Sequence, residues 1–370
     1  MTGNSTELFL LGDFVGFGIS SSLFFFFQIE LDEGRQEFPW KSLAALAKIG
    51  LLGLTVPKEL GGMGESHVCA AMVAETIARF GCPSTAMVYV MHLSAIAVLA
   101  FRYHNNDTVK DVLRKTCQPE VFLGTLSYSD PATGGHFWFP FSSKVQQLGE
   151  QYQLLKYGSW ATSAGFAHWY AIQTLSPNHK GDGSNLSSFL IFRDEVRANT
   201  SDWQAMGMHG IQSGPLVAEG ILTPDRLIGA LGEGSLSNDE CVDIFFMYLS
   251  SSCWVGLTLA TIDVARKHVL RREHADTGLR VADYVTIQDY FGDVVSSMTS
   301  VRHFVYSVAQ RFDNLTNGCD WSLHKDPAFA PRCSLLHVCW MLKYKSAELV
   351  STVGERMLQS TGGTGYKKQL

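Results

Sequence analysis

The stretch LLKYGSWATSAGFAHWY, from Leu154 to Tyr170, decides the fold of this chain. It places the large aromatic Trp160 among small residues, with a hydroxyl at Thr162 and glycines at 158 and 165. Strands usually favour Val, Ile or another β-branched residue, and a glycine bends or opens a strand. Two interpretations compete: Trp160 fills the core of a β-hairpin, or it forms a surface for a flat ligand with polar edges.

Composition limits the classes of function. The 370 residues are enough for two or three compact units around a sizeable core. Only 17% of them are charged, the net charge is −6, and acidic and basic residues are interspersed. A protein that binds nucleic acid neutralises phosphates with a clustered basic face, which this composition lacks. We therefore expect a small-molecule substrate and no nucleic acid partner.

The eight cysteines indicate the redox environment. None of them forms a CxxC pair, and most lie in apolar runs with helical spacing. Such cysteines are typical of reduced, buried thiols rather than of a disulfide framework. We expect an intracellular protein, in a compartment that the sequence leaves open.

The N-terminal region, 1–31, is an apolar extension. Its segment LFLLGDFVGFGISSSLFFFF (8–27) is long enough to cross a bilayer. It contains Asp13, and no lysine or arginine precedes it, so it does not resemble a secretory signal. Three interpretations stay open: a membrane-associated anchor, a wrongly assigned translation start, or a buried helix. A second apolar run, from Thr85 to Phe101, has the spacing of a core helix.

Periodicity divides the rest of the chain into three regions. From 32 to 118, apolar residues recur every three or four positions, which predicts an α-helical domain. From 119 to 232, short runs such as YQLLKYG and SSFLIF, separated by turn sequences, predict a compact β-domain. From 233 to 370, long helical runs return. The fold class is therefore α+β, and the lack of a GxGxxG motif in a βαβ series argues against a Rossmann nucleotide site.

Four segments carry a resemblance to a known family. They are LAKIGLLGLTVPKELGGMG (46–64), LSYSDPATGG (126–135), GSWATSAGFAHWYAIQT (158–174) and LQSTGGTGY (358–366). Their order and spacing resemble those of the acyl-CoA dehydrogenase family. The resemblance implies an FAD-binding protein with an N-terminal helical domain, a small central β-barrel or sandwich domain and a C-terminal four-helix bundle. It also implies a homodimer or homotetramer.

The family places the tryptophan of a W-x-T motif beside the flavin ring, with the threonine hydroxyl near the flavin N5. The resemblance assigns these roles to Trp160 and Thr162. A flavin needs an apolar face against its ring and hydrogen bonds along its edge. Residues two apart in a strand point to the same face, so the indole ring and the hydroxyl would converge on one ligand.

The segment LSYSDPATGG resembles the family loop that binds the flavin pyrimidine and the pyrophosphate of FAD. It adds to the cofactor site Ser127, Ser129, Thr133 and Gly135. Gly135 stands where the family has the pyrophosphate-binding serine, so its N–H or the Thr133 hydroxyl would substitute. The next segment, HFWFPF (136–141), is more aromatic than the family sequence. It fits either a core segment or a pocket for a flat, apolar substrate.

A second set of residues would reach FAD bound in a neighbouring subunit. The resemblance assigns this role to Arg272, Gln359, Gly362 and Gly363. The Phe and Gly that follow the arginine in the family motif are absent here. For the two glycines, a simple helix C-cap is an equal alternative.

The catalytic base is unknown. Dehydrogenation of an acyl-CoA needs a carboxylate that removes the α-proton while the flavin accepts a hydride from the β-carbon. Most of the family carries this glutamate beyond the GGxGY block, and a minority carries it at the position of Phe246. The sequence ends four residues after Tyr366, so we expect a C-terminal truncation and stronger FAD binding than turnover. The nearest acidic residues, Asp239, Glu240 and Asp243, fit solvated positions at a helix start.

Two classes of enzyme and one non-enzymatic function follow. The first is an FAD-dependent acyl-CoA dehydrogenase, with an unknown electron acceptor. The second is a flavin-dependent monooxygenase of the same fold that acts on an aromatic or amine substrate, in which His92 or Ser163 could act beside the flavin. The third is a degenerate flavoprotein without catalytic activity. No metal site is expected.

Overall fold

The computed structural model describes residues 37–135, 140–180, 185–201 and 203–367. The apolar extension 1–31 and most of the aromatic segment 136–141 lie outside these ranges, so the interpretations given for them stay open. Within the described residues the chain runs from helices to strands and back to helices. The α+β class predicted from the two changes of period is confirmed.

The first helical region precedes the strands. It consists of α1 (Trp40–Lys48), α2 (His67–Phe80), α3 (Pro83–Phe101) and α4 (Asp107–Thr116). The Ser66 hydroxyl caps α2 by accepting from the Cys69 N–H, and Pro83 opens the first turn of α3. Most of α3 is buried, because apolar residues lie on all its faces. The prediction of a core helix at Thr85 to Phe101 is confirmed.

The central region is a sandwich of two four-stranded sheets. Its strands are β1 (Gly124–Ser127), β2 (Lys144–Leu148), β3 (Gln151–Ala161), β4 (Trp169–Leu175), β5 (Leu186–Phe192), β6 (Val196–Ala198), β7 (Gly214–Leu222) and β8 (Leu227–Ile228). One sheet has the order β1-β4-β5-β8, with β1 and β4 parallel, and the other is the antiparallel sheet β2-β3-β7-β6. The faces that meet bury Leu154, Tyr170, Phe189 and Leu216 between them.

Strand β3 changes its course between Gly158 and Ala161. Its residues pair regularly with β7 as far as Gly158, and the register then shifts before Ala161. A bulge of this kind twists the strand and redirects its side chains. Trp160 therefore points outward at the end of β3, while Leu154 on the regular part of the strand lies in the core.

The second helical region follows the strands. It contains the short helix α5 (Gly234–Ser237), the long helices α6 (Asp243–Arg271), α7 (Val285–Thr316) and α8 (Leu336–Thr361), and a small hairpin of β9 (Glu273–His274) and β10 (Leu279–Arg280). Helix α2 packs against α6 and α7, so it joins the three long helices in a four-helix arrangement. The helices before and after the sandwich share one hydrophobic core.

Buried charges connect these helices over long sequence separations. Arg332 is fully buried and donates hydrogen bonds to Glu240 Oε1 at 2.7 Å and to His67 Nε2 at 3.0 Å. The other ring nitrogen of His67, Nδ1, lies 2.8 Å from Asp313 Oδ1 and donates to it. Burial lowers the pKa of His67 to about 4, so this ring is neutral at ordinary pH. The network joins α2, α7 and the segments before α6 and α8.

All eight cysteines are free thiols, as the sequence predicts. Within the described residues, two apolar helical runs, Pro83–Phe101 and Gly234–Arg271, are long enough to cross a membrane. Most of each run is buried inside the protein, which is also the property of a core helix.

Candidate functional site

Trp160 combines a fixed backbone with an exposed ring. The Ser129 hydroxyl donates to the Trp160 carbonyl at 2.9 Å and accepts from the Trp160 N–H at 3.1 Å. These two bonds join the end of β3 to the loop that follows β1. The residue as a whole is nevertheless 57% exposed. An anchored aromatic residue with an open face is suited to a planar ligand.

Thr162 lies beside Trp160, but not in the strand. Strand β3 ends at Ala161, so the expectation that residues 160 and 162 alternate within one strand was wrong. Thr162 is held instead in the following turn, where its carbonyl accepts from the Thr125 hydroxyl at 2.8 Å. Its own hydroxyl lies 3.3 Å from the Ser213 hydroxyl. Trp160 and Thr162 are thus positioned next to each other by bonds from β1 and from the loop before β7.

The loop after β1 is a turn built around Asp130. The Asp130 N–H donates to the Gly134 carbonyl at 3.0 Å, and the Gly134 N–H donates back at 2.7 Å. The buried Asp130 carboxylate accepts from the N–H groups of Ala132 and Ser142. A turn closed in this way has a fixed shape, and it presents its outer edge beside Trp160.

The predicted residues of this turn have different environments. Gly134 and Gly135 are exposed, and among the described residues other than their chain neighbours no heavy atom lies within 4 Å of a Cβ placed on either of them. Thr133 is half-buried. Ser127 is fully buried, and its hydroxyl has no hydrogen-bond partner among the described residues. The turn therefore leaves space for a ligand along its glycine edge.

Two further residues, which the sequence did not predict, lie at the site around Trp160. Trp203 lies with its ring centroid 6.0 Å from that of Trp160. Lys156 is fully buried behind the turn, and its ammonium donates to the Ser129 carbonyl at 3.1 Å. Alternation along β3 predicts an inward-pointing residue 156, but the sequence does not show which loop lies opposite it.

The residues assigned to a neighbouring subunit lie at the surface of the helical region. They are Arg272, Gln359, Gly362 and Gly363, and all four are exposed. Gly362 caps α8 with φ 57° and ψ −147°, a backbone conformation that needs glycine. The C-cap interpretation of Gly362 is confirmed, and it is compatible with contact to a ligand. The four residues remain a prediction for the cofactor site.

Of the acidic residues that precede or begin α6, Glu240 and Asp243 are not solvated, so that expectation was wrong for these two, whereas Asp239 is half-buried. Glu240 is fully buried and accepts from Arg332 and His324. Asp243 is also buried, and burial raises its pKa to about 7, with the Asp239 charge adding to the effect. The nearby cation Lys343 belongs to α8. The surroundings of Asp243 are therefore those of the helical bundle.

His92 does not have the expected role beside a ligand, and for Ser163 that role stays a prediction. Both ring nitrogens of His92 are engaged by the backbone: Nε2 donates to the Leu52 carbonyl at 3.0 Å, and Nδ1 accepts from the Gly124 N–H at 2.9 Å. Burial lowers the pKa of His92 to about 4. Ser163 is buried in the turn after β3, with φ 62°. His92 is therefore a neutral core residue that joins α3 to β1.

A search for metal-binding side chains gives no candidate in the described ranges. No group of three or more His, Cys, Asp or Glu residues there has an arrangement that could hold a metal ion. The residues at the candidate site are aromatic, hydroxyl-bearing and glycine residues, which suits an organic ligand.

Comparison with known sequences gives two findings. The profile of the family described as acyl-CoA dehydrogenase, N-terminal domain, matches residues 28–120. The mitochondrial isovaleryl-CoA dehydrogenase of Solanum tuberosum is 26% identical over 332 residues, which cover 88% of this chain and 73% of the relative.

Solved structures show the same fold. Butyryl-CoA dehydrogenase from Megasphaera elsdenii has a TM-score of 0.79 at 16% identity, with 100% of this chain and 92% of that chain covered. Dibenzothiophene monooxygenase (TdsC) from Paenibacillus sp. A11-2 has a TM-score of 0.74 at 16% identity, with 94% and 87% covered. The same layout of helices and strands therefore occurs in enzymes of two different classes.

Proposed function

We propose that this chain is an FAD-dependent oxidoreductase of the acyl-CoA dehydrogenase family, supported by the profile match at residues 28–120 and by the similarity to acyl-CoA dehydrogenases along most of the chain. The observation that carries the proposal is the anchored, 57% exposed Trp160 beside the hydroxyls of Ser129 and Thr162. TdsC, which has this fold, is known in an FMN-bound form, and PigA in an FAD complex.

The site residues fit such a cofactor. The open indole face of Trp160 would lie against the flavin ring, and the Thr162 hydroxyl would bind the ring edge. The open edge at Gly134 and Gly135 would let the Gly135 N–H approach the phosphates, since the Gly134 N–H is already bonded to the Asp130 carbonyl. Bound FAD would supply a two-electron acceptor, and the side chains would hold and orient it.

The proposal includes an oligomer. Arg272, Gln359 and Gly362 are exposed at the C-terminal ends of α6 and α8, where a second chain can reach them. Large apolar side chains are also exposed in the first half of α8, among them Trp340 and Tyr344. In a homodimer or homotetramer, Arg272, Gln359 and Gly362 would meet the partner's FAD and the exposed apolar side chains would pack against the partner chain.

For the substrate we propose an acyl-CoA thioester, which would be dehydrogenated between its α- and β-carbons. The support is the set of relatives whose names contain acyl-CoA dehydrogenase activities, such as the isovaleryl-CoA enzyme. The chain must then contribute a base for the α-proton. Glu240 is occupied by Arg332, whereas Asp243 has a raised pKa near neutrality and is the first residue to mutate.

Monooxygenation of an aromatic substrate is the second candidate. The likeness to dibenzothiophene monooxygenase favours it, and so does the pair of Trp160 and Trp203 at the site. Such a reaction needs no base for an α-proton. The aromatic pair would then line a pocket for a flat, apolar molecule.

Anaerobic mixing with a panel of acyl-CoA thioesters separates the two candidates. A dehydrogenase takes electrons directly from its substrate, so the visible absorbance of bound FAD should bleach without NADH or oxygen. If one thioester bleaches the cofactor, the Asp243→Asn variant should lose that reaction by about 10²–10⁴-fold while it retains FAD. A flavin that no thioester bleaches, but that after chemical reduction is reoxidised by added oxygen with hydroxylation of an aromatic compound and release of water, would contradict the acyl-CoA proposal.

A further inference from the structure

Lys156 is a buried cation with few partners. It is fully buried in β3. Its ammonium donates a hydrogen bond to the Ser129 carbonyl at 3.1 Å. An ammonium group has three donors and loses much of its hydration when it is buried. An apolar side chain of similar length would fill the same space at a lower cost. The charge itself therefore needs an explanation.

The position of Lys156 relates it to the candidate site. It lies on the inner face of β3 with Leu154, and the next inward position is Gly158. A Cβ at Gly158 would come within 2.6 Å of the Ser127 hydroxyl, so the glycine leaves room for β3 to approach the end of β1. The Lys156 ammonium thereby reaches the Ser129 carbonyl from behind. The Ser129 hydroxyl holds the Trp160 backbone on the opposite side.

The charges around Lys156 leave its ammonium only partly balanced. Asp130 is the acidic group that acts on it, and the Asp130 carboxylate already accepts bonds from Ser142 and Ser143. On the flanking strands, Lys144 of β2 and Glu219 of β7 are exposed on the outer face. Burial lowers the pKa of Lys156 to about 8, and Asp130 opposes this effect. The ammonium is therefore mostly charged at neutral pH and loses its proton at mildly alkaline pH.

We propose that Lys156 is a positioning residue of the cofactor site, whose positive charge behind Ser129 favours electron uptake by the bound flavin. The inference rests on the proposed function, because it assumes that FAD binds against Trp160. A flavin gains negative charge when it takes up electrons, and a fixed cation close to it stabilises that charge. The bond to Ser129 also fixes the carbonyl side of the turn. Lys156 thus acts through Ser129 and need not touch the cofactor.

The test compares the reduction potential of bound FAD in the wild-type protein and in Lys156→Met over a range from about pH 7 to about pH 9, on either side of the expected titration. In the wild type, the potential should fall more steeply with pH where Lys156 loses its proton, because reduction then takes up an additional proton. In Lys156→Met, the potential should be lower at neutral pH and this steeper region should be absent. FAD binding should also weaken by about tenfold, because the turn that carries Ser129 loses its hydrogen bond from the charged Lys156 and is held less firmly.

Two variants complete the test. Lys156→Arg keeps its charge at every pH used, so it should restore the high potential without the steeper region. Lys144→Met removes an exposed cation from the adjacent strand and should behave as the wild type. Equal potentials and equal pH profiles in the wild type and Lys156→Met would overturn the inference alone. A wild-type protein that binds no flavin would overturn the proposed function and this inference with it, and the wild-type pH profile tests the inference even if Lys156→Met does not fold.

Discussion

At Trp160 the backbone and the side chain have different roles. Ser129 fixes the backbone through two hydrogen bonds, and the local bulge of β3 directs the indole outward. A residue that only filled the core would be buried, as Trp169 is on β4 of the other sheet. The exposed indole with a fixed position is the reason for placing a cofactor there.

Replacing Trp160 by Ala should weaken FAD binding by about tenfold or more, because the aromatic face that packs on the flavin ring is lost. The folded protein should remain, since an exposed side chain contributes little to the core. A titration of the purified variant with FAD, followed by flavin fluorescence, measures the effect.

Two controls accompany this substitution. Trp160→Phe keeps a flat apolar face and should recover most of the binding. Ile221→Ala removes another exposed large apolar side chain, 60% accessible on β7, and should bind FAD as the wild type does if the effect is specific to Trp160. Unchanged affinity and an unchanged visible spectrum in Trp160→Ala would show that the cofactor is placed wrongly.

Some of these residue environments could be predicted from the sequence and others could not. The resemblance of the W-A-T motif and the LSYSDPATGG segment to the acyl-CoA dehydrogenase family led to Trp160, Thr162 and Ser129, which local periodicity alone does not single out. Lys156 was missed because its partner, Ser129, lies 27 residues away in the loop after β1. Glu240 was taken as solvated because its partner Arg332 is 92 residues away. Burial of a charged residue depends on such distant partners, which a local pattern does not contain.

At the scale of the elements, the packing of α2 against α6 depends on one glycine. A Cβ at Gly256 of α6 would collide with the backbone oxygen of Glu75 in α2 and lie 2.8 Å from the Ala78 Cβ. A helix interior normally disfavours glycine, so its presence here reflects close approach of the two backbones.

Gly256→Ala should therefore destabilise the protein, by about 1–3 kcal/mol, because the helices must separate. Gly292→Ala provides the matched control, since Gly292 lies in α7 with no heavy atom near an added Cβ. That change should be neutral or stabilise by up to about 1 kcal/mol through helix propensity. Urea unfolding of both variants gives the comparison, and equal midpoints would contradict the close contact of α2 and α6.

The element types were predictable because their periods are strong. The strand runs YQLLKYG and HWYAIQTL fall in β3 and β4, and the apolar run 85–101 is a buried helix. The bulge before Ala161 and the π-helical turn at Asn238–Val242 were not predicted. Both are one-residue departures from a regular period, and they are imposed by packing against other elements.

At the scale of the molecule, the sandwich presents the candidate site and the helices hold the sandwich in place. The network of Arg332, Glu240, His67 and Asp313 joins segments from both helical regions. The residues proposed to reach a partner's cofactor lie at the far ends of α6 and α8. Because two chains would complete each site, a symmetric dimer would bind one FAD per chain.

The central claim is that this chain holds FAD at the site formed around Trp160. The most direct measurement is the visible absorbance spectrum of the purified full-length protein, with the released cofactor identified by mass and its amount compared with the amount of protein. We expect a flavin spectrum, FAD as the released molecule, and about one FAD per chain in an oligomer. A purified, folded protein that shows no flavin spectrum, and that takes up neither FAD nor FMN when either is added, would contradict the claim.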